Sequence, residues 1–295
     1  MKPAPFTYRR PTSLTEALDL LAQEPEAKVL AGGQSLVPLL SMRLSSVPVL
    51  IDINGLPDLA RVTVDDSGVR FGALVRHSDL LAHEGAAAAQ PLLAAALRHV
   101  AHPTIRNRGT TVGSIVHADA SGEMPMILRL ADGTLTVASS RGRREIAARD
   151  LFVGPLETSL AADEIAVEAF VPALPAGSGV AFDEVARRHG DYALCGVGAV
   201  VALDGAGSVE HVRAGYVSVS ETPAVVDLTE CFPDGEMTAR TLAAAGEMAV
   251  GQLDPESDIH GTADYRAQLA RALTARVLKA AQDDARARAA QKVSS

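Results

Sequence analysis

The sequence predicts an α+β protein in three parts: two small α/β units followed by a C-terminal α+β unit of different character. Three observations carry this prediction. Strand and helix patterns alternate from residue 5 to residue 172. The run Pro172-Ala173-Leu174-Pro175-Ala176-Gly177-Ser178-Gly179 then interrupts the chain as a linker. Beyond it, three strand patterns precede two helical ones.

The elements follow in order. Phe6-Thr7-Tyr8 reads as extended chain. Ser13 and Glu16 form a capping-box pattern before Leu14, Ala17, Leu18 and Leu21, which repeat on one helical face. A short strand at Lys28-Val29-Leu30 opens onto the small-residue loop Ala31-Gly32-Gly33-Gln34-Ser35-Leu36, and the apolar run Leu36 to Leu44 suits a helix. Val47 to Ile53 reads as a buried strand, which makes residues 5–55 a βαβ-like unit. Val69 to Ala73 is a strand pattern, His77 to His83 a short helix and Pro91 to Val100 a longer one. A second small-residue loop, Gly109-Thr110-Thr111-Val112-Gly113-Ser114, leads to a helical pattern at Met124 to Ala131. Thr134–Ala138 and Arg144–Ala147 flank a hairpin turn at Arg141-Gly142, and Ile165 to Val171 is a last strand before the linker.

In the C-terminal part, strand patterns at Val180–Arg187, Val197–Leu203 and Val209–Ser218 include a turn at Asp204-Gly205. Helices follow near Thr238–Val250 and Tyr265–Ala281, the second carrying Leu269, Leu273 and Val277 at i, i+4 spacing. The charged, Ala-rich continuation is expected to fray. The expected division is 1–55, 56–175, 176–285 and a flexible tail 286–295.

Composition narrows the function classes. A chain 47% apolar and 21% charged can bury a globular core. With 3% aromatics, no Trp and a formal charge of −9, it offers neither stacking platforms nor a basic face, so nucleic acid is not an expected partner. The two cysteines, Cys195 and Cys231, cannot build a metal or iron–sulfur site by themselves. His117-x-Asp119 has no third ligand at sensible spacing, so no metal is expected. The N-terminus lacks a signal-peptide h-region and no uninterrupted apolar run is long enough to span a bilayer, so a cytoplasmic location without a membrane span is expected.

The two small-residue loops, about 80 residues apart, are the chemically suggestive feature. Glycine lets backbone approach closely and exposed N–H groups point at an anion, so two such loops can hold the phosphates of a dinucleotide. Neither is a Walker A or GxGxxG sequence. On composition alone, an ordinary strand-to-helix turn is the favoured reading of the first.

Six segments in order resemble the FAD-binding medium subunit of molybdenum hydroxylases. They are Tyr8-Arg9-Arg10-Pro11, Ala31-Gly32-Gly33-Gln34-Ser35-Leu36, His102-Pro103-Thr104-Ile105-Arg106-Asn107-Arg108-Gly109-Thr110, His117-Ala118-Asp119, Glu123-Met124-Pro125 and Arg187-Arg188-His189-Gly190-Asp191-Tyr192-Ala193. That family includes the flavoprotein subunits of carbon monoxide and nicotine dehydrogenases and the flavin domain of xanthine dehydrogenase. The resemblance implies a two-subdomain FAD-binding fold of the PCMH type, followed by a C-terminal domain of the carbon monoxide dehydrogenase flavoprotein type. It further implies a small partner subunit with [2Fe–2S] clusters and a large one with a molybdopterin cofactor, in a dimer of heterotrimers. Electrons would pass from the clusters through FAD to NAD+, oxygen or another acceptor.

The same resemblance implies the cofactor-binding residues. They are Val29, Leu30, Ala31, Gly32, Gly33, Gln34, Ser35 and Leu36 from the first loop, and Thr110, Thr111, Gly113 and Ser114 from the second. Asp119 and His117 shape the cofactor loop, Glu123 hydrogen-bonds the cofactor, and Ile165 and Tyr192 adjoin the flavin. Each has a plainer alternative: Glu123 a carboxylate at a helix N-terminus, Ile165 a core strand residue, Tyr192 a ring packed at a domain junction. Arg187 and Arg188 suit a solvated, salt-bridged face, and Cys195 a small core position. Val112 departs from the pattern, standing where a glycine is implied. Valine resists φ > 0, so either the loop holds a β-type conformation there or the register is offset by one residue. Two other functions stay open: a stand-alone FAD oxidase or dehydrogenase of related fold, and a scaffold subunit without FAD.

Overall fold

The computed structural model describes residues 2–294. Three sheets of three or more strands follow one another along the described residues, with one two-stranded ribbon besides. The first is small and entirely parallel: β1 (Thr7–Arg9) and β2 (Lys28–Leu30) flank β3 (Val49–Asp52), with Thr7 opposite Val49 and Lys28 opposite Leu50. Parallel neighbours need crossovers, supplied by α1 (Leu14–Gln23) and α2 (Leu36–Ser41). Helix α1 starts where Ser13 accepts the Glu16 amide at 3.1 Å. The expected capping box is half formed, because the Glu16 carboxylate takes the Thr12 amide and hydroxyl instead of closing back on Ser13. Its apolar stripe, Ala17, Leu18 and Leu21, is buried against the core.

The second sheet begins with β4 (Val62–Asp65) and β5 (Gly68–Gly72). A cluster of short helices follows: α3 (His77–Leu81), α4 (Glu84–Ala89), α5 (Pro91–Leu97), α6 (Pro103–Arg106), α7 (Thr111–His117) and α8 (Glu123–Leu130). Pro91 and Pro103 stand at first helical positions, where a missing N–H costs nothing. Then come β6 (Thr134–Ser139), β7 (Gly142–Ala147), α9 (Ala148–Leu151), the two-stranded ribbon β8 (Phe152–Gly154) and β9 (Glu157–Thr158), and β10 (Ile165–Pro172). The sheet order is β4-β5-β10-β6-β7, and every pairing is antiparallel. One core runs from Ala17 and Ile51 through Phe71, Leu92 and Met126 to Val137 and Val171, so the first two sheets fold around common apolar contacts.

The third sheet is an antiparallel meander of β11 (Ser178–Ala186), β12 (Ala193–Leu203), β13 (Val209–Val217) and β14 (Ala224–Asp227). Helices α10 (Ala239–Val250) and α11 (Ala263–Ser294) join it, packing on each other, with α11 against β11 and β12. Strand β12 begins four residues before the sequence pattern suggests, because Ala193-Leu194-Cys195-Gly196 carries little β-branched signal yet is fully buried. Cys195 is a small core residue, as expected. The Ala-rich continuation, expected to fray, instead extends α11. Its Asp284 accepts the Val180 amide at 2.9 Å and Arg288 at 2.7 Å, which anchors this stretch to the start of β11.

Helix α8 joins the two halves. Gly198 and Gly215 face each other across β12 and β13, and a Cβ on Gly215 would fall 2.3 Å from Met126 Sδ. Two missing side chains thus make the slot that seats Met126 and Leu130 on the third sheet. The residue at the head of α8 is Glu123.

Candidate cofactor site

The first small-residue loop leaves β2 at Leu30 and enters α2 at Leu36. Gly33 has φ +72°, a conformation suited to glycine. Gly32 lies against the second segment: a Cβ there would stand 2.6 Å from the Arg108 carbonyl oxygen, 2.7 Å from Gly109 Cα and 2.8 Å from the Thr110 amide. The two sequence-distant segments are therefore in backbone contact. The amides of Gly33, Gln34, Ser35 and Leu36 find no acceptor among the described residues, and Ser35 makes no capping bond with its side chain. Gln34 Nε2 folds back to the Gly32 carbonyl at 3.2 Å.

The second segment differs from expectation. Thr110 is the cap of α7, its hydroxyl accepting the Gly113 amide at 3.2 Å, and residues 111–117 are helical. Val112 is thus neither in a loop nor in a β-type conformation. It sits in the first helical turn with its side chain 1% exposed in the core, so no positive φ is demanded of it. Thr111 is also fully buried, its hydroxyl 3.2 Å from His77 Nδ1. His77 is held neutral: burial, assisted by the Arg106 charge, brings its pKa down to about 4.

A chain of side chains fastens both segments; sequence reasoning named Tyr8 within a family segment but gave no role to it, Asp52, Asn54 or Arg76. Tyr8 Oη donates to Asp52 Oδ2. Asp52 Oδ1 accepts Asn54 N at 2.9 Å and Nδ2 at 2.6 Å, and Asn54 Nδ2 also donates to the Ala31 carbonyl at 2.8 Å. Arg76 reaches Asn54 Oδ1 with Nη2 at 2.7 Å and the Arg108 carbonyl with Nη1 at 2.6 Å. The backbone of Arg76 bridges that of Thr110, and the His77 amide donates to the Gly109 carbonyl at 3.0 Å. Asp52 is mostly buried, which disfavours its charge, yet the Tyr8 and Asn54 donors outweigh burial and keep its carboxyl below the ordinary range. The only available signals were the adjacency of Asp52-Ile53-Asn54 to a buried strand and a lone Arg76 before a short helix.

A second group of predicted residues gathers beyond α7. Ala118 ends that helix in the left-handed conformation, φ 55°. Asp119 then turns the chain, accepting the Ser121 amide at 2.9 Å. Glu123 follows at the head of α8, half-buried; burial and the neighbouring Glu184 carboxylate push its pKa up to about 8. Tyr192, 62% exposed, lies in the turn between β11 and β12 with its phenol beside Asp119. That turn rests on His102, since a Cβ on Gly190 (φ +87°) would stand 2.3 Å from its ring. Arg187 and Arg188 are exposed, Arg187 lying 3.7 Å from Asp191. Ile165 is not brought to this surface: it is 2% exposed in the core, opposite Ala138.

Comparison with known proteins shows the family of the chain. Residues 4–174 match the model of the FAD-binding domain in molybdopterin dehydrogenases, and residues 180–281 that of the carbon monoxide dehydrogenase flavoprotein C-terminal domain. The chain belongs to the FAD-binding medium subunits of the molybdenum hydroxylase family. It is 42% identical to the 6-hydroxypseudooxynicotine dehydrogenase complex subunit alpha of Paenarthrobacter nicotinovorans, over 97% of each chain. Carbon monoxide dehydrogenase from Hydrogenophaga pseudoflava superposes with a TM-score of 0.91 at 34% identity, covering 96% of this chain and 99% of that one. Quinoline 2-oxidoreductase from Pseudomonas putida 86 gives a TM-score of 0.90 at 38% identity, covering 97% and 99%.

Membership in this family makes the chain an oxidoreductase flavoprotein subunit with FAD as its cofactor, molybdopterin and iron–sulfur centres belonging to partner subunits in the homologous complexes. The residues present fit FAD. Gly32 and Gly109 meet with no side chain on either, and the amides of Gly33 to Leu36 that follow have no partner among the described residues. Both cysteines are buried and unpaired, Cys195 in β12 and Cys231 in a short 3-10 turn. No helix among the described residues is long and apolar enough to cross a membrane.

Proposed function

We propose that the chain carries electrons from [2Fe–2S] clusters of a small partner subunit through FAD to NAD+, oxygen or another acceptor, within a dimer of heterotrimers that includes a large molybdopterin-binding subunit. FAD supplies the redox chemistry, taking electrons singly and giving them up singly or in pairs. The chain's own residues bind and orient it. Gly32, Gly33, Gln34, Ser35 and Leu36 present amides and a hydroxyl to the diphosphate from one side, with Val29, Leu30 and Ala31 leading into the loop. Thr110, Thr111, Gly113 and Ser114 close the other side. Asp119, Glu123 and Tyr192 line the approach to the ring, where exposed Tyr192 gates access of the acceptor. Ile165 supports that surface from the core.

The backbone contact of Gly32 with Gly109, clipped by Arg76, carries this reading, because it unites two segments that are separately unremarkable. The departure that favoured the scaffold alternative, Val112, is a buried helical position that requires no glycine-like backbone, which favours the flavin reading. The expected location is the cytoplasm. The test uses the intact complex, purified through a tag on this chain and assayed for flavin, iron and molybdenum. After anaerobic reduction with dithionite, flavin absorbance is followed on adding NAD+ or oxygen. Recovery of the oxidised spectrum with one of them supports the electron path. A complex with stoichiometric iron and molybdenum but no flavin refutes it.

A further inference from the structure

Helix α11 opens with a buried arginine whose side chain binds three separate stretches of the C-terminal domain. Arg266 is 6% exposed. Its Nη1 donates to two carbonyls, Leu194 at 2.8 Å and Ser218 at 3.0 Å, and its Nη2 donates to Asp258 Oδ2 at 2.7 Å. Asp258 is fixed in turn, its Oδ1 accepting the amides of His260 at 2.7 Å and Gly261 at 3.0 Å. Arg266 Nε is buried with no hydrogen-bond partner among the described residues. Taking a guanidinium out of water is costly and is offset only by the groups it holds. The reason for this arginine therefore lies in those carbonyls.

Both carbonyls belong to segments that reach the cofactor loop. Leu194 is the extra residue of a β-bulge: Ala186 pairs with Ala193 and Val185 with Cys195, which leaves Leu194 between them. It stands two residues after Tyr192. Ser218 follows β13 in a left-handed conformation, φ 64°, and its amide donates to the Ala120 carbonyl at 3.0 Å. Ala120 is next to Asp119 in the turn that leads to Glu123, and the Tyr192 phenol lies beside Asp119. These contacts form a ring. It runs from Arg266 to Leu194, along the chain to Tyr192, across to the Asp119–Ala120 turn, and back through Ser218 to Arg266.

We propose that Arg266 is a positioning residue for the flavin: by holding the Leu194 and Ser218 carbonyls it fixes Tyr192 and the Asp119–Ala120 turn relative to each other, and so sets how open the ring end of the cofactor site is. This rests on the cofactor placement proposed above, with Tyr192 and Asp119 at the ring and the diphosphate at residues 32–36 and 110–114. The two ends of the site then answer to different parts of the chain. The diphosphate end is built within the first two sheets, whereas the ring end depends on an arginine of the last helix.

Two readouts on the purified full chain test this. The first, hydrogen exchange resolved by peptide, needs no cofactor. R266M loses the donors and keeps apolar bulk. It is expected to speed exchange about tenfold in residues 118–122 and 190–194 together, with β3 and β10 exchanging as in wild type. R266K keeps the charge without the planar fork, so its exchange is expected to lie between wild type and R266M. D258N, which loosens the anchor of the guanidinium, is expected to resemble R266K. Should R266M not fold, R266K and D258N carry the comparison. Unchanged exchange in every folded variant, or acceleration spread evenly over the chain, overturns the proposal.

The second readout is the bound flavin. R266M and R266K are expected to bind FAD within about threefold of the wild-type affinity. Iodide quenching of flavin fluorescence is expected to rise about twofold or more, as local opening of the ring end requires. In a Tyr192→Ala background, R266K is expected to add little further quenching, because the side chain it positions is already gone. Loss of FAD with no change in quenching overturns the proposal, as does full additivity of R266K with Tyr192→Ala. Wild type that binds no FAD refutes the cofactor placement instead, and hydrogen exchange still decides whether Arg266 ties the two segments.

Discussion

Gly32 and Gly109 meet backbone to backbone: the position a Gly32 Cβ would take lies 2.7 Å from Gly109 Cα and 2.6 Å from the preceding carbonyl of Arg108. No side chain fits there, and the contact joins the parallel βαβ unit to the helix cluster of the second sheet. Gly32→Ala must part the two segments. The expected cost is about 1–3 kcal/mol of stability, a few degrees in Tm, with loss of most bound FAD. Gly33→Val should also release FAD, because φ +72° is strained for valine. Absorbance-based flavin stoichiometry and a thermal melt check both; normal flavin content in either variant contradicts the placement of the diphosphate.

Arg76 is the clip between the segments, donating to Asn54 and to the Arg108 carbonyl. Arg76→Met removes both bonds while keeping apolar bulk. Charge-assisted bonds contribute about 1.5–3 kcal/mol, so FAD affinity should fall on the order of tenfold to a hundredfold. Asn54→Ala should weaken binding through the same chain, and the double variant should lose less than the sum of the two. Titration calorimetry reads all three; strict additivity would show that the residues act independently.

His77 makes the fold acid-sensitive. The unfolded chain takes up a proton at His77 near pH 6.5, whereas the folded chain resists until about pH 4. Between those values the folded state binds fewer protons, so stability falls as pH drops through the window. The contribution is on the order of 3 kcal/mol once pH is below about 4. His77→Gln, which can still meet Thr111, should flatten the decline in denaturant-derived stability over that range. An unchanged slope would place the acid sensitivity elsewhere.

Glu123 works with the opposite sign. Its carboxyl is held protonated up to about pH 8 in the folded chain, against 4.5 when unfolded. Between those values the folded state binds more protons, so the Glu123 contribution to stability is fully present below pH 4.5 and is lost as pH rises through 8. Without FAD, Glu123→Gln should therefore be more stable than wild type at about pH 8, by on the order of 2 kcal/mol. A less stable Glu123→Gln at that pH would contradict the buried-acid description.

Much of this was legible in the chain. Apolar periodicity located most strands and helices because α1, β3 and β10 bury clean stripes, and the ordered motifs carried the family. Three things were not. Thr110–Ser114 reads as a loop because glycine and threonine weaken helix propensity, yet Thr110 caps a helix whose Val112 and Ile115 face the core. Helix α11 outruns its expected end because Asp284, itself paired with Arg288 one turn on, accepts the Val180 amide of a strand about a hundred residues earlier. The Tyr8–Asp52–Asn54–Arg76 chain was invisible for the same reason: its links join positions that only the fold brings together.

The central claim is that FAD lies with its diphosphate between residues 32–36 and 110–114. A crystal structure of the purified chain with FAD tests it most directly. The account predicts phosphate oxygens within hydrogen-bond distance of the Gly33 to Leu36 amides and of Ser114, with Gly32 still against Gly109. A diphosphate seated elsewhere, with those amides facing solvent, would contradict it.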